Sequence, residues 1–289
     1  MTTAERDPAA VPAVRVTGLT RRYTRRRSSP FSASSTVDAL AGIDLTIPAR
    51  SRFGIVGESG SGKTTLMRLI AGLDRATSGT VEIGGTDITG LRESELGFLR
   101  KRLQIVFQDP MGSLDPRMRV RDIIAEPLQV QGLGNVEEAV GTALEQVGLP
   151  AAAGRRYPHQ FSGGQRQRIS IARAIAPSPD ILLADEAVSA LDVTVRAQIL
   201  ALLETIAVER ELTLIFVSHD LAVVRRVCDQ VAVLSGGRLV ETGPTEQIYG
   251  RPEQQYTREL LAAVPTLAKS LAAAQVRRAQ RAPAGRPDA

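Results

Sequence analysis

The sequence predicts an α/β fold in which a parallel sheet is interrupted by a helical insertion. Short strand-like segments alternate with helical segments along most of the 289-residue chain, as in a parallel sheet with crossover helices. A glycine-rich loop separates an apolar strand from a helix near residue 57. The stretch from about 110 to 175 has helical character only, and we interpret it as a subdomain inserted into the α/β core.

The predicted strands are short segments rich in apolar residues. In chain order they are Val14–Thr20, Val37–Ile47, Phe53–Val56, Arg102–Phe107, Ile181–Ala184, Leu214–Val217, Val231–Leu234 and Arg238–Glu241. The segment Ile181–Ala184 is continuously apolar, as in a strand that is buried on both faces of a parallel sheet. The last two strands are expected to form a hairpin around Gly236–Gly237.

The predicted helices have apolar residues at three- and four-residue steps. They are Lys63–Ala71, the stretch from Val120 to Val147, Thr194 to about Glu209, and Leu221–Val227. Three other segments are expected to lack fixed structure: residues 1–12, the loop Ser28–Ser35, and the Ala- and Arg-rich chain after Pro265.

Composition excludes several kinds of site. The single cysteine, Cys228, excludes an intrachain disulfide framework and a cysteine-rich metal or iron–sulfur site, and we expect it to be buried on a helix. No uncharged apolar run approaches the ~18 residues of a membrane-spanning helix. The amino terminus carries Glu5, Arg6 and Asp7 and lacks the apolar core of a signal peptide. A cytoplasmic protein is predicted, which would reach a membrane only through another chain.

The net charge of +5 is carried largely by arginine. Two clusters are formed by Arg21, Arg22, Arg25, Arg26 and Arg27, and by Arg277, Arg278 and Arg281. They indicate either contact with nucleic acid or anionic lipid, or a solvated surface in an arginine-rich composition. Neither cluster is interleaved with aromatic residues, as in proteins that bind single-stranded nucleic acid.

The glycine-rich loop matches the P-loop pattern of phosphate-binding proteins. It consists of Gly57, Glu58, Ser59, Gly60, Ser61, Gly62, Lys63 and Thr64. Glycines allow the backbone N–H groups to curl around a phosphate chain, and the following helix points its N-terminus at the anion. Lys63 is expected to reach the β- and γ-phosphates of ATP, and the Thr64 hydroxyl to bind Mg²⁺. The alternative is a glycine-rich turn without a ligand.

The strand Ile181–Ala184 is followed by two acidic residues, Asp185 and Glu186. Burial of this strand places both at the carboxyl edge of the sheet, where ligands bind in open α/β folds. Asp185 suits coordination of Mg²⁺, and Glu186 suits a base that positions or polarises an attacking water. Strands often end in acidic residues, so the pair points to a function only in combination with the P-loop.

A second anion-binding turn is predicted at Phe161-Ser162-Gly163-Gly164-Gln165, where a Ser-Gly-Gly turn opens a helix. A purely structural interpretation is an N-cap by Ser162. The segment resembles the signature motif of ABC ATPases, which usually begins with Leu where this chain has Phe161. The resemblance implies the ABC ATPase fold: a P-loop NTPase core with a parallel sheet, an added antiparallel β part and an inserted helical subdomain.

The resemblance also implies roles for single residues in the same order along the chain. Tyr23 is expected to stack on adenine, and Thr65 to join the P-loop residues in binding ATP. Gln108 is expected to touch Mg²⁺ and the attacking water, and His219 to contact the γ-phosphate. The Ser-Ala-Leu-Asp segment that ends at Asp192 resembles the loop that crosses the dimer interface.

Two ATPase subunits are therefore expected to face each other head to tail, each ATP lying between one P-loop and the other subunit's signature. Members of the family usually carry Pro-Thr after the two acidic residues, where this chain has Ala187-Val188. This departure removes no chemical group and is expected to alter only the stiffness of the loop.

Three stretches resemble the peptide-importer branch of the family: Gln108–Arg117, Tyr157–Gln160 and Pro252–Leu261. The last departs by having Glu-Gln-Gln where the branch often has His-Pro. The branch imports dipeptides, oligopeptides or, in some members, nickel. It implies two transmembrane permease subunits, an external substrate-binding protein and a second ATPase subunit, which is usually a different chain, the alternative being a second copy of this one. The resemblance divides the chain into an ATPase domain over 13–250 and a C-terminal extension and tail over 251–289.

The predicted function is that of an ATP-hydrolysing subunit of an ABC importer, peripheral to the cytoplasmic face of the membrane. The segment 110–160 would grip a cytoplasmic helix of a permease subunit. The alternative is a soluble ABC ATPase that acts on nucleic acid or ribosomes. Such proteins typically carry tandem ATPase units, a coiled-coil arm or zinc-binding cysteines, whereas this sequence has one P-loop, no long heptad run and one cysteine. No nucleic-acid partner is therefore expected.

Overall fold

The computed structural model describes residues 11–24 and 36–263. The expectations for residues 1–10, for Ser28–Ser35 and for the chain after Pro265 lie outside this part. The same is true of most of both arginine clusters, from which only Arg21 and Arg22 are described.

Ten strands form two sheets in the described part. They are β1 (Val14–Thr24), β2 (Thr36–Ile47), β3 (Arg52–Val56), β4 (Ser78–Ile83), β5 (Thr86–Asp87), β6 (Leu103–Val106), β7 (Ile181–Asp185), β8 (Thr213–Ser218), β9 (Gln230–Ser235) and β10 (Arg238–Pro244). A six-stranded sheet has the order β10-β9-β3-β8-β7-β6, parallel throughout except for β10. A four-stranded antiparallel sheet has the order β2-β1-β4-β5.

The helices lie between and beyond these strands. They are α1 (Lys63–Ile70), α2 (Gly97–Arg102), α3 (Pro110–Ser113), α4 (Val120–Val130), α5 (Val136–Gln146), α6 (Gly163–Ile175), α7 (Val193–Glu209), α8 (Leu221–Val227), α9 (Thr245–Gly250) and α10 (Gln255–Ala263). Short 3₁₀ turns occur at Glu93–Glu95, Ala151–Arg155 and Pro158–Gln160. None of the described helices has the length and apolar character needed to cross a membrane.

The predicted α/β architecture is confirmed, with small shifts at the ends of its elements. The stretch from Val120 to Val147 is not one helix but two, α4 and α5, because Gly132 and Asn135 adopt positive φ angles of 67° and 53° between them. Cys228 is buried as expected and caps the end of α8. The strands β4 and β5 and the helices α2, α9 and α10 were not predicted.

Side chains of the parallel strands alternate between two buried clusters, one on each face of the sheet. In β7, Leu182 and Ala184 belong to the cluster that also contains the helical insertion α3–α6. Ile181 and Leu183 belong to the cluster that contains α1 and the antiparallel sheet. The central sheet is therefore covered on both sides, and its polar groups of interest lie at the carboxyl edge, where β3, β7 and β8 end.

Candidate nucleotide site

The loop between β3 and α1 curls around its own lysine. Lys63 is only 6% exposed, and its ammonium donates to the carbonyl oxygens of Gly57 at 2.7 Å and of Glu58 at 2.8 Å. A Cβ at Gly57 would lie 2.2 Å from the carbonyl oxygen of Leu234, so only glycine fits there. Gly62, with φ 104°, precedes the first residue of α1. The loop is thus a preformed ring of backbone groups held close to the neighbouring strand.

Other P-loop residues face outward at the N-terminus of α1. Glu58, Ser59 and Gly60 are exposed, as is Thr64 in the first turn of the helix, while Thr65 is half-buried. The loop is held from behind, because the backbone N–H of Gly237 donates to the carbonyl oxygen of Ser61 at 3.0 Å. The hairpin between β9 and β10 therefore supports the loop. The exposed side of the loop is the side from which an anion can reach the helix N-terminus.

Lys63 shares its electrostatic environment with the two acidic residues that end β7. Burial lowers the pKa of the Lys63 ammonium, and the charges of Glu186 and Asp185 oppose that shift. Burial also raises the pKa of the Asp185 carboxyl, as does the charge of Glu186, while Lys63 opposes the rise. Two carboxylates and one ammonium thus lie within electrostatic range, and a bound cation would relieve the repulsion between the carboxylates.

Glu186 turns away from the strand direction directly after β7. Its φ of 44° is unusual for a residue other than glycine, and its backbone N–H donates to the carbonyl oxygen of Val217 at 2.9 Å. Its carboxylate meets the imidazole of His219, with 2.8 Å between Oε1 and Nδ1. The carbonyl oxygen of Glu186 accepts from the Ser189 hydroxyl at 3.0 Å. The ends of β7 and β8 are therefore joined through these two side chains.

Gln108 lies beside Asp185 in a cleft of about 420 Å³ that Ser113 and Arg173 also line. The backbone that follows Gln108 is held at both ends of α3. Asp109 caps the helix by accepting from the N–H groups of the next turn, and Arg173 donates to the Ser113 carbonyl oxygen at 2.6 Å. Arg173 belongs to α6, so the helical insertion fixes the loop that carries Gln108.

The Ser-Gly-Gly turn lies at the start of α6, and Ser162 caps this helix, as the purely structural interpretation expected. Ser162 Oγ accepts from the Gln165 N–H at 3.4 Å, and Gln165 Oε1 accepts from the Ser162 N–H at 3.0 Å. Both residues are exposed. In the described part of the chain no hydrogen bond or ion pair joins this turn to the P-loop. A Cβ at Gly164 would lie 2.4 Å from Val195 Cγ1, so the turn packs closely on α7.

Tyr23 and Asp192 lie on other elements around this region. The Tyr23 hydroxyl donates to Asp74 at 2.6 Å, beyond the end of α1, and the Arg21 guanidinium lies over the ring at 4.4 Å from its centroid. Tyr23 as a whole remains 39% exposed. Asp192 caps α7 by accepting from the Val195 N–H at 2.9 Å, close to the packing contact of Gly164. The structure thus places Asp192 beside the signature turn and Tyr23 on the antiparallel sheet.

Sequence reasoning did not identify Arg196. Its guanidinium bonds to Asp220, the residue after His219, and to the carbonyl oxygen of Leu191. The only signal in the sequence is its position four residues after Asp192, which places it in the first turn of a helix. Such a position gives no indication of the acceptors, because one of them lies 24 residues away.

Comparisons with known proteins show which family this chain resembles. Residues 40–189 match the family model described as ABC transporter. Oligopeptide transport ATP-binding protein OppD of Mycobacterium tuberculosis is 47% identical over 255 residues, which cover 87% of this chain and 42% of that protein. A Brucella ovis ATP-binding protein that is named for peptide import is 45% identical over 258 residues, which cover 88% of this chain and 79% of the relative.

A solved structure with the same fold shows a nucleotide-bound dimer. It is the ATP-binding cassette MJ0796 in a post-hydrolysis state, bound to ADP and Pi. The match has a TM-score of 0.71 and 29% sequence identity, and it covers 80% of this chain and 98% of the other.

Proposed function

Because this chain belongs to the ABC transporter family of ATP-hydrolysing subunits, we propose that it powers peptide import at the cytoplasmic face of a membrane. The proposal rests on the groups at the ends of β3, β7 and β8. The charges of Asp185 and Glu186 act on Lys63, and the Glu186 carboxylate contacts His219. The substrate class is supported by two relatives, which are named for peptide import and for oligopeptide transport. ATP hydrolysis is the activity of the chain, and coupling to uptake is the proposed use of it.

The P-loop would bind the phosphates of ATP. The ammonium of Lys63 bonds to two carbonyl oxygens of its own loop, and phosphate oxygens would attract it more strongly because they carry charge. Oxygen donors from Thr64, Gln108 and Asp185 are the ligands that Mg²⁺ prefers, and relief of the Asp185 burial penalty favours a cation there. When bound, Mg²⁺ would neutralise charge on the β- and γ-phosphates.

Glu186 would orient the attacking water, and its contact with His219 restricts when it can do so. A carboxylate only accepts hydrogen bonds, so a carboxylate at Glu186 would accept the 2.8 Å contact from a proton on Nδ1 of His219. In the neutral ring Nε2 then carries a lone pair and cannot donate to a phosphate. A neutral His219 would therefore have to release Glu186 before it could donate a hydrogen bond to the γ-phosphate. Release would free Glu186 at the moment when ATP is in place.

The signature turn would act on ATP held by another subunit. Ser162, Gly163, Gly164 and Gln165 open a helix of 13 residues whose first N–H groups can bind an anion, and the two polar side chains face solvent. The dimeric cassette of the solved relative supports this arrangement. The partner is proposed to be a second, different ATPase subunit. Asp192 would lie in the same interface, and Tyr23 would stack on adenine from the antiparallel sheet.

An apolar groove of about 300 Å³ is the proposed contact for a permease subunit. Phe107, Pro127 and Val130 line it, and Val130 is 78% exposed. Phe107 also lines the cleft that contains Gln108 and Asp185, so the groove and the site share one side chain. We propose that a cytoplasmic helix of one permease subunit binds here, and that the second permease subunit binds the other ATPase subunit of the assembly. An external substrate-binding protein would act only through the permease.

Uptake of labelled peptides by cells that lack this chain tests the proposal. Wild-type chain should restore uptake of a dipeptide or an oligopeptide, whereas Glu186→Gln should not. Val130→Asp should also fail, because it places a charge in the groove, while the exposed Val208→Asp on α7 should restore uptake. Normal peptide uptake without the chain would contradict the proposed substrate class. If only nickel uptake were lost without the chain, nickel would replace peptides as the proposed substrate.

A further inference from the structure

Arg196, in the first turn of α7, bridges two loops that carry proposed site residues. Its Nη1 donates to Oδ2 of Asp220 at 3.2 Å, and its Nη2 donates to the carbonyl oxygen of Leu191 at 3.3 Å. Asp220 directly follows His219, and Leu191 directly precedes Asp192. One guanidinium therefore holds the loop of His219 and the loop of Asp192 at a fixed separation.

The same two loops are joined at their other ends through Glu186. Its carboxylate contacts His219 at 2.8 Å, and its carbonyl oxygen accepts from both the hydroxyl and the backbone N–H of Ser189 at 3.0 Å. The chain and its hydrogen bonds thus form a closed ring of loops. Its members are Glu186, Ser189, Leu191, Arg196, Asp220 and His219. In a closed ring, displacement of one loop displaces the others.

The geometry favours a positioning role for Arg196 over a purely stabilising one. The side chains of Arg196 and Asp220 are 30% and 34% exposed, and partly exposed ion pairs contribute little to folding. The Nε of Arg196 is buried and has no acceptor in the described part of the chain, so the two Nη bonds determine where the guanidinium lies. A planar guanidinium can hold two acceptors in fixed directions, which an ammonium cannot.

We propose that Arg196 is a positioning residue that transmits movement of the Leu191–Asp192 loop to His219 and Glu186. The inference depends on the proposed catalytic roles of Glu186 and His219. Contact of a second subunit with the loop of Asp192 shifts Leu191. Arg196 transmits this shift to Asp220 and thereby to His219, the residue before it. Hydrolysis in this chain's own site is thereby coupled to closure of the dimer. Without Arg196 the catalytic side chains still bind ATP but are poorly oriented.

Steady-state ATP hydrolysis by the full-length chain, assembled with its partner subunit, tests this. Arg196→Ala should lower kcat about tenfold, the scale of a small misplacement of catalytic groups, while KM for ATP stays within about twofold. Arg196→Lys should restore little of the loss, because it cannot bond both acceptors. Asp220→Asn should lower kcat similarly. Asn still caps α8, so this variant keeps the helix intact.

The ion pair between Arg226 and Glu204 provides a matched control. Its Nε–Oε1 distance is 3.4 Å, and it joins the same two helices, α7 and α8, without belonging to the ring. Arg226→Ala should keep kcat within about twofold of wild type. The double variant Arg196→Ala with Asp220→Asn should have the same kcat as Arg196→Ala alone, since both substitutions break the same connection between Arg196 and Asp220. Wild-type kcat in Arg196→Ala, or an equal loss in Arg226→Ala, would overturn the inference.

Two further outcomes separate this inference from the proposed site. If Glu186→Gln is inactive while Arg196→Ala hydrolyses ATP normally, the ring has no positioning role and the proposed site stands. If Glu186→Gln hydrolyses ATP normally, the proposed site fails and the role of Arg196 fails with it. Should Arg196→Ala not fold, Asp220→Asn decides, and a wild-type kcat there would refute the ring.

Discussion

The two glycine-rich turns of this chain differ in what surrounds them. The P-loop is supported by the β9–β10 hairpin, its lysine is buried and bonded within the loop, and two carboxylates act on that lysine. The turn Ser162–Gln165 lies on the helical insertion with its two polar side chains exposed. In the described part of the chain those side chains bond only to each other's backbone.

The difference supports the proposed division, in which the P-loop binds ATP and the turn Ser162–Gln165 contacts ATP held by another subunit. The P-loop has an ammonium, two carboxylates and an imidazole within its own subunit. The signature turn has the backbone N–H groups of a helix N-terminus and two uncharged polar side chains, those of Ser162 and Gln165. The proposed role of the second turn therefore depends on ATP that another subunit holds. Variants that change either the P-loop region or the turn Ser162–Gln165 therefore test this comparison.

The largest expected effect comes from removing the P-loop charge. Lys63→Ala should abolish productive ATP binding and lower kcat/KM about 100-fold or more, because it deletes a preorganised donor to the phosphates. Titration with a fluorescent ATP analogue and steady-state hydrolysis measure the loss. Lys101→Ala, an exposed lysine on α2, is the matched control and should behave as wild type. Full ATP affinity in Lys63→Ala would refute the P-loop assignment.

Glu186→Gln should separate binding from hydrolysis in the same region. ATP binding should remain, because the phosphates contact other groups, while hydrolysis should fall by about 10²-fold or more through loss of the catalytic base. The variant should also accumulate an ATP-bound dimer, which size-exclusion chromatography with and without ATP detects. Normal turnover in this variant would remove Glu186 from the mechanism.

The smallest expected effect concerns the packing of the signature turn. Gly164→Ala should lower the free energy of unfolding by about 1–3 kcal/mol, because its Cβ would meet Val195 Cγ1 at 2.4 Å. Gly163→Ala is the matched control, since an added Cβ there meets no atom within 4 Å. Chemical denaturation of the two variants should therefore give different stabilities. Equal stabilities would show that α6 does not pack on α7 as described.

The sequence was sufficient to predict the P-loop because its signals are local. An apolar strand, a glycine-rich loop and an amphipathic helix follow one another within Phe53–Ala71. The strand β4 gave no such signal. Only Val81 and Ile83 are buried in it, Gly79 has φ 82°, and its pairing with β1 joins segments far apart in the chain. Local pattern alone cannot predict a short strand whose formation depends on such distant pairing.

In the candidate site too, local signals were predictable and contacts between distant segments were not. Glu186 was predicted from a strand end and His219 from the family resemblance, but neither predicted their hydrogen bond, which joins residues 33 positions apart. Arg196 was missed, since an arginine near a helix start has many possible partners. Sequence patterns predicted which residue types belong to the edge of the sheet. The contacts between them depend on strand order, which brings β7 beside β8.

The central claim is that Ser162 acts on ATP bound by the partner subunit. The direct test compares ATP affinity of the isolated Ser162→Arg chain with ATP hydrolysis by the assembled pair. The isolated variant should bind ATP nearly as well as wild type, since its P-loop is unchanged, while hydrolysis at the partner's P-loop should be blocked by the bulky side chain. Loss of ATP affinity in the isolated variant would show that Ser162 acts within its own subunit and would contradict the account.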